Sequence, residues 1–212
     1  MLKINEIYQS IQGESSFTGI PCAFVRLTGC NLRCTYCDTE YAFYEGNSMT
    51  VREVVSAVIA FGLRHVLITG GEPLMQKDAY PLMEELLAKG HRVLLETGGS
   101  LSIDKVPPGV IRIVDLKCPG SGEEARNNYE NLGLLSPRDE VKFVMLNRAD
   151  YEWSRQMVRK HAIDKKAGVL FSPVHNKLPL KDLASWILED KLPVRLQLQF
   201  HKVIWGKNAI GV

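Results

Sequence analysis

Three cysteines stand within eight positions of one another in a chain that has five. The stretch CNLRCTYC places Cys30, Cys34 and Cys37 at the spacing C-x3-C-x2-C. Zinc sites usually take four ligands, and only Cys22 and Cys118 remain. Three thiolates on an iron–sulfur cluster leave one iron without a protein ligand, and that iron can bind a cofactor or a substrate. The spacing therefore favours a catalytic cluster, with a structural zinc module as the alternative.

Further polar motifs follow the apolar runs of the chain. With the cysteine loop, the set comprises GGEP (70–73), ETGG (96–99), DLKCPGS (115–121) and SPVH (172–175). The carboxyl ends of parallel strands meet at one rim, where the loops build sites in α/β proteins. We expect these motifs to converge at that rim.

Seven runs rich in Val, Ile and Leu predict the strands. They cover residues 22–29, 65–69, 92–97, 110–117, 141–146, 168–173 and 194–200. Several are continuously apolar, as parallel strands buried on both faces are. Helices are expected from Thr50, where Glu53 stands at capping-box spacing, and over 82–90, 148–162 and 180–190. The Gly-, Asn- and Pro-rich segment 118–139 predicts a lid, or a loop with a short helix of its own.

This alternation of strands and helices implies βαβ units and a parallel sheet. A complete eight-stranded barrel needs about 250 residues, and the chain has 212. We therefore expect one α/β domain over residues 1–212, an incomplete TIM-type (β/α) barrel with about six to seven mostly parallel strands. A doubly wound sheet is the alternative.

Composition limits the partners. With 26 basic and 24 acidic residues the formal charge is +2, which argues against nucleic acid or an anionic membrane and for a small substrate. The amino terminus lacks the apolar run of a signal peptide, and no segment approaches the roughly 20 apolar residues of a membrane span. An odd cysteine count argues for metal binding or catalysis rather than a disulfide framework. We expect a cytoplasmic protein.

The cysteine spacing followed by GGEP resembles the radical S-adenosylmethionine (SAM) superfamily. That resemblance implies that the three cysteines hold a 4Fe-4S cluster whose fourth iron binds the amino and carboxylate groups of SAM. The turn with Gly71 and Glu72 would receive the SAM amino group, because a glycine pair lets the backbone approach a ligand. Tyr36 would face adenine, and Asp38 would support the site without being a ligand.

Longer stretches resemble one family within that superfamily, the 7-carboxy-7-deazaguanine synthases. They are residues 6–39, LITGGEPLMQ, DLKCPGSG, FSPVH and LQLQFHKVIWG, so the resemblance spans nearly the whole chain. It implies a homodimeric carbon–nitrogen lyase of queuosine and 7-deazapurine biosynthesis. Such an enzyme converts 6-carboxy-5,6,7,8-tetrahydropterin to 7-carboxy-7-deazaguanine and ammonia, through a 5′-deoxyadenosyl radical that takes hydrogen from C6 of the pterin. It uses SAM, Mg²⁺ and an electron donor such as flavodoxin or ferredoxin.

The same resemblance assigns residues. Contacts to the pterin fall on Ile11, Gln12, Gly13, Glu14, Arg26, Thr69, His201 and Val212. Contacts to SAM fall on Asp115, Leu116, Lys117, Ser172, Pro173, Val174 and His175. Thr39 would bind magnesium through its hydroxyl.

Other assignments stay open. A buried guanidinium needs a partner, so Arg26 binds either the substrate carboxylate or a protein acid. The roles of Lys142 and of the carboxy-terminal tail are undetermined. Gly98 departs from the polar residue common in related sequences, which leaves the roles of Glu96 and Thr97 undetermined. Cys22 and Cys118 are predicted to be small packed thiols. An activase that makes a glycyl radical on a partner protein is the alternative function, because it would share the thiols and GGEP.

Overall fold

The computed structural model describes residues 1–206 and 209–211, and in this part of the chain nine strands form one sheet. The strands are β1 (Leu2–Ile11), β2 (Pro21–Leu27), β3 (Asn47–Met49), β4 (His65–Gly70), β5 (Arg92–Thr97), β6 (Ile111–Asp115), β7 (Glu140–Met145), β8 (Gly168–Pro173) and β9 (Arg195–Leu196). The α-helices are α1 (Val51–Ala60), α2 (Ala79–Ala88), α3 (Arg148–His161), α4 (Leu180–Asp190) and α5 (Phe200–Ile204).

The sheet has a parallel body and an antiparallel edge. Its strand order is β3-β1-β2-β4-β5-β6-β7-β8-β9. The strands from β2 through β4 to β9 pair in parallel, whereas β1 pairs antiparallel with β2 and with β3. The sheet is not closed, so the prediction of a partial barrel with mostly parallel strands is confirmed. A single domain over residues 1–212 remains our expectation.

Three strands differ from the sequence predictions: β1 and β3 were not predicted, and β9 is shorter than expected. The sequence LKINEIYQSI of β1 mixes polar and apolar residues, and its strand was not predicted. The strand expected over 194–200 was too long, because β9 ends at Leu196. Beyond it Leu198 is exposed, and the Phe200 N–H donates to Gly13 at 2.9 Å rather than to a sheet neighbour.

The helices lie close to their predicted positions. Thr50 caps α1 in a capping box, since its hydroxyl accepts from the Glu53 N–H at 3.2 Å and the Glu53 carboxylate accepts from the Thr50 N–H at 2.7 Å. The α2 helix begins at Ala79 rather than residue 82. The predicted loop with short helical segments is confirmed by three short 3-10 helices, Pro119–Ser121, Glu124–Arg126 and Tyr129–Gly133.

Residues of each parallel strand alternate between two packed faces. On the outer face, Val25, Ile68 and Leu95 pack with residues of α1 and α2, while Phe143 and Phe171 pack with residues of α3 and α4. On the inner face, side chains from distant strands pack together in one group, which we call the inner apolar group. It contains Cys22, Phe24, Leu67, Leu94, Ile111, Ile113 and Leu170. These side chains come from β2, β4, β5, β6 and β8, so the group spans most of the parallel sheet.

The inner apolar group closes the interior on its amino-terminal side. Tyr8 stacks on Phe24 with ring centroids 4.9 Å apart, and Phe17 also packs against the group. Cys22 and Cys118 are free and buried, which confirms that they are small packed thiols. Over the residues described, no helix has both the length and the hydropathy needed to cross a membrane.

Helix packing on the outer face should dominate stability. Leu82 on α2 is fully buried, whereas Leu188 on α4 is 75% exposed. We expect Leu82→Ala to lower the free energy of unfolding by about 2–5 kcal/mol, because it leaves a cavity. The matched control Leu188→Ala should change it by less than about 0.5 kcal/mol. Urea denaturation followed by circular dichroism measures both, and equal effects would contradict this assignment of the outer core.

Candidate active site

A cavity of about 700 Å³ opens at the carboxyl ends of the parallel strands, above the inner apolar group. Its wall contains the strand residues that lie two positions after inner apolar residues, and this spacing returns the side chain to the same face. These residues are Arg26 after Phe24, Thr69 after Leu67, Glu96 after Leu94, Asp115 after Ile113 and Ser172 after Leu170. On each of these strands the lining therefore changes from apolar to polar over two residues.

The cysteine loop forms one wall of the cavity. Cys30, Cys34 and Cys37 are free, partly exposed thiols that all line it. The loop is held by its backbone, since the Cys37 N–H donates to the Cys34 carbonyl at 3.1 Å and the Thr35 N–H donates to the Ser121 carbonyl at 3.0 Å. Burial raises the pKa of the Cys30 and Cys34 thiols, while the Lys117 ammonium opposes that rise.

The donor chemistry of this wall fits an iron–sulfur cluster. Three thiols from one loop face a large cavity, and Lys117 supplies a positive charge that favours their thiolate forms. In residues 1–206 and 209–211, no three His, Cys, Asp or Glu side chains converge closely enough to hold a single metal ion. A four-iron cluster does not need such convergence, because each thiolate binds a different iron.

The glycine turn packs directly against the cysteine loop. A Cβ on Gly71 would lie 2.1 Å from the Gly29 carbonyl oxygen and 2.9 Å from the Cys30 Cβ, so only glycine fits. The Glu72 N–H donates to that same Gly29 carbonyl at 2.7 Å. The turn therefore brings bare backbone to the cavity beside the first cysteine.

The Glu72 side chain does not line the cavity. It is fully buried and accepts from the Leu74 N–H at 3.0 Å, from the Thr97 hydroxyl at 2.9 Å and from the Gly98 N–H at 2.6 Å. The carboxylate therefore ties the glycine turn to the end of β5, and a contact to SAM would come from the Glu72 backbone. These bonds also give Thr97 a structural position.

Charged pairs form the floor of the cavity. The Lys142 ammonium, 8% exposed, donates to Glu14 at 2.8 Å and lies 3.4 Å from an Asp115 oxygen. Lys117 donates to the other Asp115 oxygen at 2.6 Å. Burial alone would raise the pKa of Glu14 and of Asp115, but these ammonium groups lower both. Lys142 thus connects the loop after β1 with the end of β6, which gives this lysine a position that the sequence left open.

Arg26 has a protein partner. Its Nε donates to Glu6 at 2.6 Å and one terminal nitrogen donates to the Tyr8 hydroxyl at 3.1 Å, both on β1. Of the two partners that the sequence allowed for Arg26, a substrate carboxylate or a protein acid, the structure shows a protein acid, Glu6. Arg26 nevertheless lines the cavity, and its other terminal nitrogen has no hydrogen bond to the described residues.

The loop after β1 carries Gln12 and Glu14, two of the side chains expected to bind the pterin. Gln12 is 2% exposed and lines the cavity, and its oxygen accepts from the Glu14 N–H at 3.2 Å. Its amide nitrogen has no hydrogen-bond partner among the described residues. A buried amide donor without a partner is costly, so a ligand acceptor at this position would be favoured.

The carboxy-terminal segment closes the cavity over that loop. A Cβ on Gly13 would lie 2.3 Å from the His201 imidazole. The α5 helix, which carries His201, therefore packs directly against the Gly13 backbone. Gln199 donates to Glu14 and to Asp38, at 3.1 Å in each case. Lys202 donates to Asp38 at 2.6 Å. The segment that follows, with Trp205, Gly206 and residues 209–211, also lines the cavity.

The predicted site residues mostly lie together. Those that line the cavity are Ile11, Gln12, Gly13, Glu14, Arg26, Cys30, Cys34, Tyr36, Cys37, Asp38, Thr39, Thr69, Gly71, Asp115, Lys117, Ser172, Val174, His175 and His201. Leu116 and Pro173 do not, and Leu116 packs in the core with Phe143. Val212 lies outside the described residues. The Tyr36 hydroxyl donates to the Val144 carbonyl at 3.0 Å, which fixes the ring at the wall.

Sequence reasoning missed several residues of the cavity. Tyr8, and also Glu6, which pairs with Arg26 without lining the cavity itself, were missed because their strand was not predicted. Gln199 and Lys202 were missed because their partners are distant in sequence. Glu96 and Lys142 could have been found from the alternation of their strands, since each falls in register with an inner-face position.

Comparison with known proteins agrees with this fold. Residues 24–187 match the family model described as the Radical SAM superfamily. The chain therefore belongs to the radical SAM superfamily. It is 49% identical to the 7-carboxy-7-deazaguanine synthase of Koribacter versatilis over the full length of both, and 48% identical to that of Chlorobaculum tepidum over 100% of this chain and 97% of the relative. The structure also matches QueE from Escherichia coli with a TM-score of 0.78 and 25% identity over 94% of each chain. Within the superfamily, the chain belongs to the 7-carboxy-7-deazaguanine synthase family.

The close fit at Gly71 gives a first test of the site. We expect Gly71→Ala to lower the iron bound after anaerobic reconstitution with iron and sulfide, because the added methyl group displaces Gly29 and Cys30. Gly133→Ala is the matched control, since a Cβ there meets no described atom within 4 Å and its φ is not positive. Iron analysis and visible absorption measure the outcome, and full iron content in Gly71→Ala would contradict the packing described here.

The ion pair of Lys202 with Asp38 gives a second test. Lys202→Met should speed amide hydrogen exchange in α5 by up to about fivefold, because a partly exposed pair contributes about 0.2–1 kcal/mol. Lys181→Met, which changes an exposed lysine at the start of α4, serves as the control and should leave this exchange unaltered. Mass spectrometry of the exchanged peptides reports the effect. Equal exchange in the two variants would show that the pair does not hold the helix.

Proposed function

We propose that this chain contracts the ring of 6-carboxy-5,6,7,8-tetrahydropterin to form 7-carboxy-7-deazaguanine and releases ammonia. The observation that carries the proposal is the meeting of three thiols, a bare glycine turn and an unpaired Gln12 amide in one cavity. Full-length relatives named 7-carboxy-7-deazaguanine synthase support the proposal and favour it over the glycyl-radical activase considered from the sequence.

The cysteine loop would hold a 4Fe-4S cluster with SAM, and together they supply a 5′-deoxyadenosyl radical when bound. Gly71, Asp115, Lys117, Ser172, Val174 and His175 line the cavity and would hold SAM. Asp115 is deprotonated and can accept hydrogen bonds, since Lys117 and Lys142 keep its pKa low despite burial.

The opposite side of the cavity would bind the pterin. The Gln12 amide nitrogen offers a donor to a ring oxygen or nitrogen, and Glu14 offers an acceptor to an N–H group. Arg26 would bind the substrate carboxylate through the terminal nitrogen that no described residue uses. Glu6 would then hold the guanidinium in place rather than compete with the substrate.

Three finer assignments accompany this proposal. Thr39 lines the cavity with its hydroxyl 3.7 Å from the Cys37 sulfur, and we assign it to Mg²⁺ beside substrate oxygens. A flavodoxin or ferredoxin would reduce the cluster. The chain would work as a cytoplasmic homodimer, which sedimentation velocity and cell fractionation can test.

Anaerobic reconstitution tests the function. Protein loaded with iron and sulfide, then given reductant, SAM, Mg²⁺ and 6-carboxytetrahydropterin, should release deazapurine and ammonia in equal amounts. Omission of Mg²⁺ should slow the reaction. Cys34→Ala should lose the visible absorption of the cluster, whereas the matched Cys118→Ala should keep it, because Cys118 is buried in the core away from the cavity. If wild-type protein formed 5′-deoxyadenosine but no deazapurine, the superfamily assignment would stand and the substrate would be wrong.

A further inference from the structure

One partly buried carboxyl group that lines the cavity has no cationic partner within residues 1–206 and 209–211. The paired carboxylates are Glu6 with Arg26 at 2.6 Å, Asp115 with Lys117 at 2.6 Å and Glu14 with Lys142 at 2.8 Å. Glu96 lines the same cavity, yet within residues 1–206 and 209–211 it has no ion pair. Its only side-chain hydrogen bond there is a weak one, from the Thr69 hydroxyl at 3.3 Å.

The register of the sheet places Glu96 beside residues assigned to the substrate. Arg26 on β2 pairs with Thr69 on β4, and Ile68 pairs with Leu95 on β5, so Thr69 and Glu96 stand at the next common level. Arg26, Thr69 and Glu96 therefore form one row across three adjacent strands, on the face that lines the cavity. A pterin held by the first two would lie within reach of the third.

We propose that Glu96 transfers the protons of the ammonia-releasing step, an inference that rests on the proposed function. After the ring has contracted, the bond from carbon to the departing nitrogen breaks and its electron pair stays on nitrogen. That nitrogen takes the proton of the Glu96 carboxyl group and leaves as ammonia. The neighbouring carbon then gives a proton to the Glu96 carboxylate, and its C–H electron pair forms the double bond of the new ring. The carboxyl group ends as it began, and no oxidant or reductant is consumed.

The surroundings of Glu96 suit this role. The pKa of Glu96 is raised to about 7, mainly by burial; the Lys142 and Arg26 cations lower it, while the Glu14 and Asp115 carboxylates raise it. The other titratable groups that face it are Tyr8 on β1 and Cys22 on β2. An acid with a pKa near the working pH is efficient in both directions of proton transfer. It is protonated below that pKa, so the acid form is lost as pH rises through about 7.

The test compares Glu96→Gln with Glu84→Gln, which makes the same chemical change on the exposed surface of α2. In Glu96→Gln, deazapurine and ammonia should form about 10²-fold more slowly, since general acid–base catalysis contributes at least that much. Substrate consumption should persist in the first turnover, so that rapid quench and mass spectrometry detect a new species with the mass of the substrate. The wild-type kcat for deazapurine formation should fall as pH rises through about 7, and this limb should vanish in Glu96→Gln but remain in Glu84→Gln and, shifted, in Glu96→Asp.

A second measurement needs no cluster and no turnover. Infrared difference spectra of the protein without cofactors should show a protonated carboxyl band that titrates near neutral pH in wild type and is missing in Glu96→Gln. If substrate consumption and ammonia release fall together in Glu96→Gln with an unchanged pH profile, Glu96 has only a structural role and the inference is wrong. If wild-type enzyme releases no deazapurine at all, the proposed function itself fails, and the infrared titration still shows whether Glu96 holds a proton.

Discussion

The side chains of a β-strand alternate between its faces, and this constraint determines what the cavity contains. Parallel strands in register bring equivalent positions to one level, so an apolar residue on each inner face produces an apolar group at that level. Two residues later the same strands present Arg26, Thr69, Glu96 and Asp115 to the cavity. A shift of one residue in β2, β5 or β6 would move Arg26, Glu96 or Asp115 into the helix-facing core. The register that packs the interior is therefore the register that builds the site.

Burial of so many charges has its own requirement. Charged groups removed from water need partners at close range, or they lose their charge. Arg26, Lys117 and Lys142 each meet this requirement with a carboxylate from another strand or loop. Among the described residues these three cations pair with Glu6, Asp115 and Glu14, which leaves Glu96 without an ion pair and with one hydrogen bond, from the Thr69 hydroxyl. The pKa of Glu96 is raised mainly by burial, and the neighbouring Glu14 and Asp115 carboxylates add to the rise.

The sequence predicted the parallel strands, the main helices and the cysteine loop, because each has a local signal. Apolar runs, a capping box at Thr50 and a spacing of thiols are all visible within a dozen residues. Glu72 shows where such signals end. Its motif predicts a cofactor contact, yet its carboxylate is used by Leu74, Thr97 and Gly98, which only the folded chain brings to it. The β1 strand lacked a signal for a related reason, since Glu6 and Tyr8 make it look polar although both serve Arg26.

The two sides of the cavity are coupled through Asp38. This residue directly follows the last thiol of the cysteine loop, and it accepts hydrogen bonds from Gln199 and Lys202 in the carboxy-terminal segment. Gln199 also donates to Glu14, which in turn accepts from Lys142. A ligand that moves Glu14 must therefore strain or release the bonds that reach the cysteine loop. Substrate binding and the position of the cysteine loop are therefore linked through a short series of hydrogen-bonded side chains. Such a link lets the cavity close as its reactive centre is assembled.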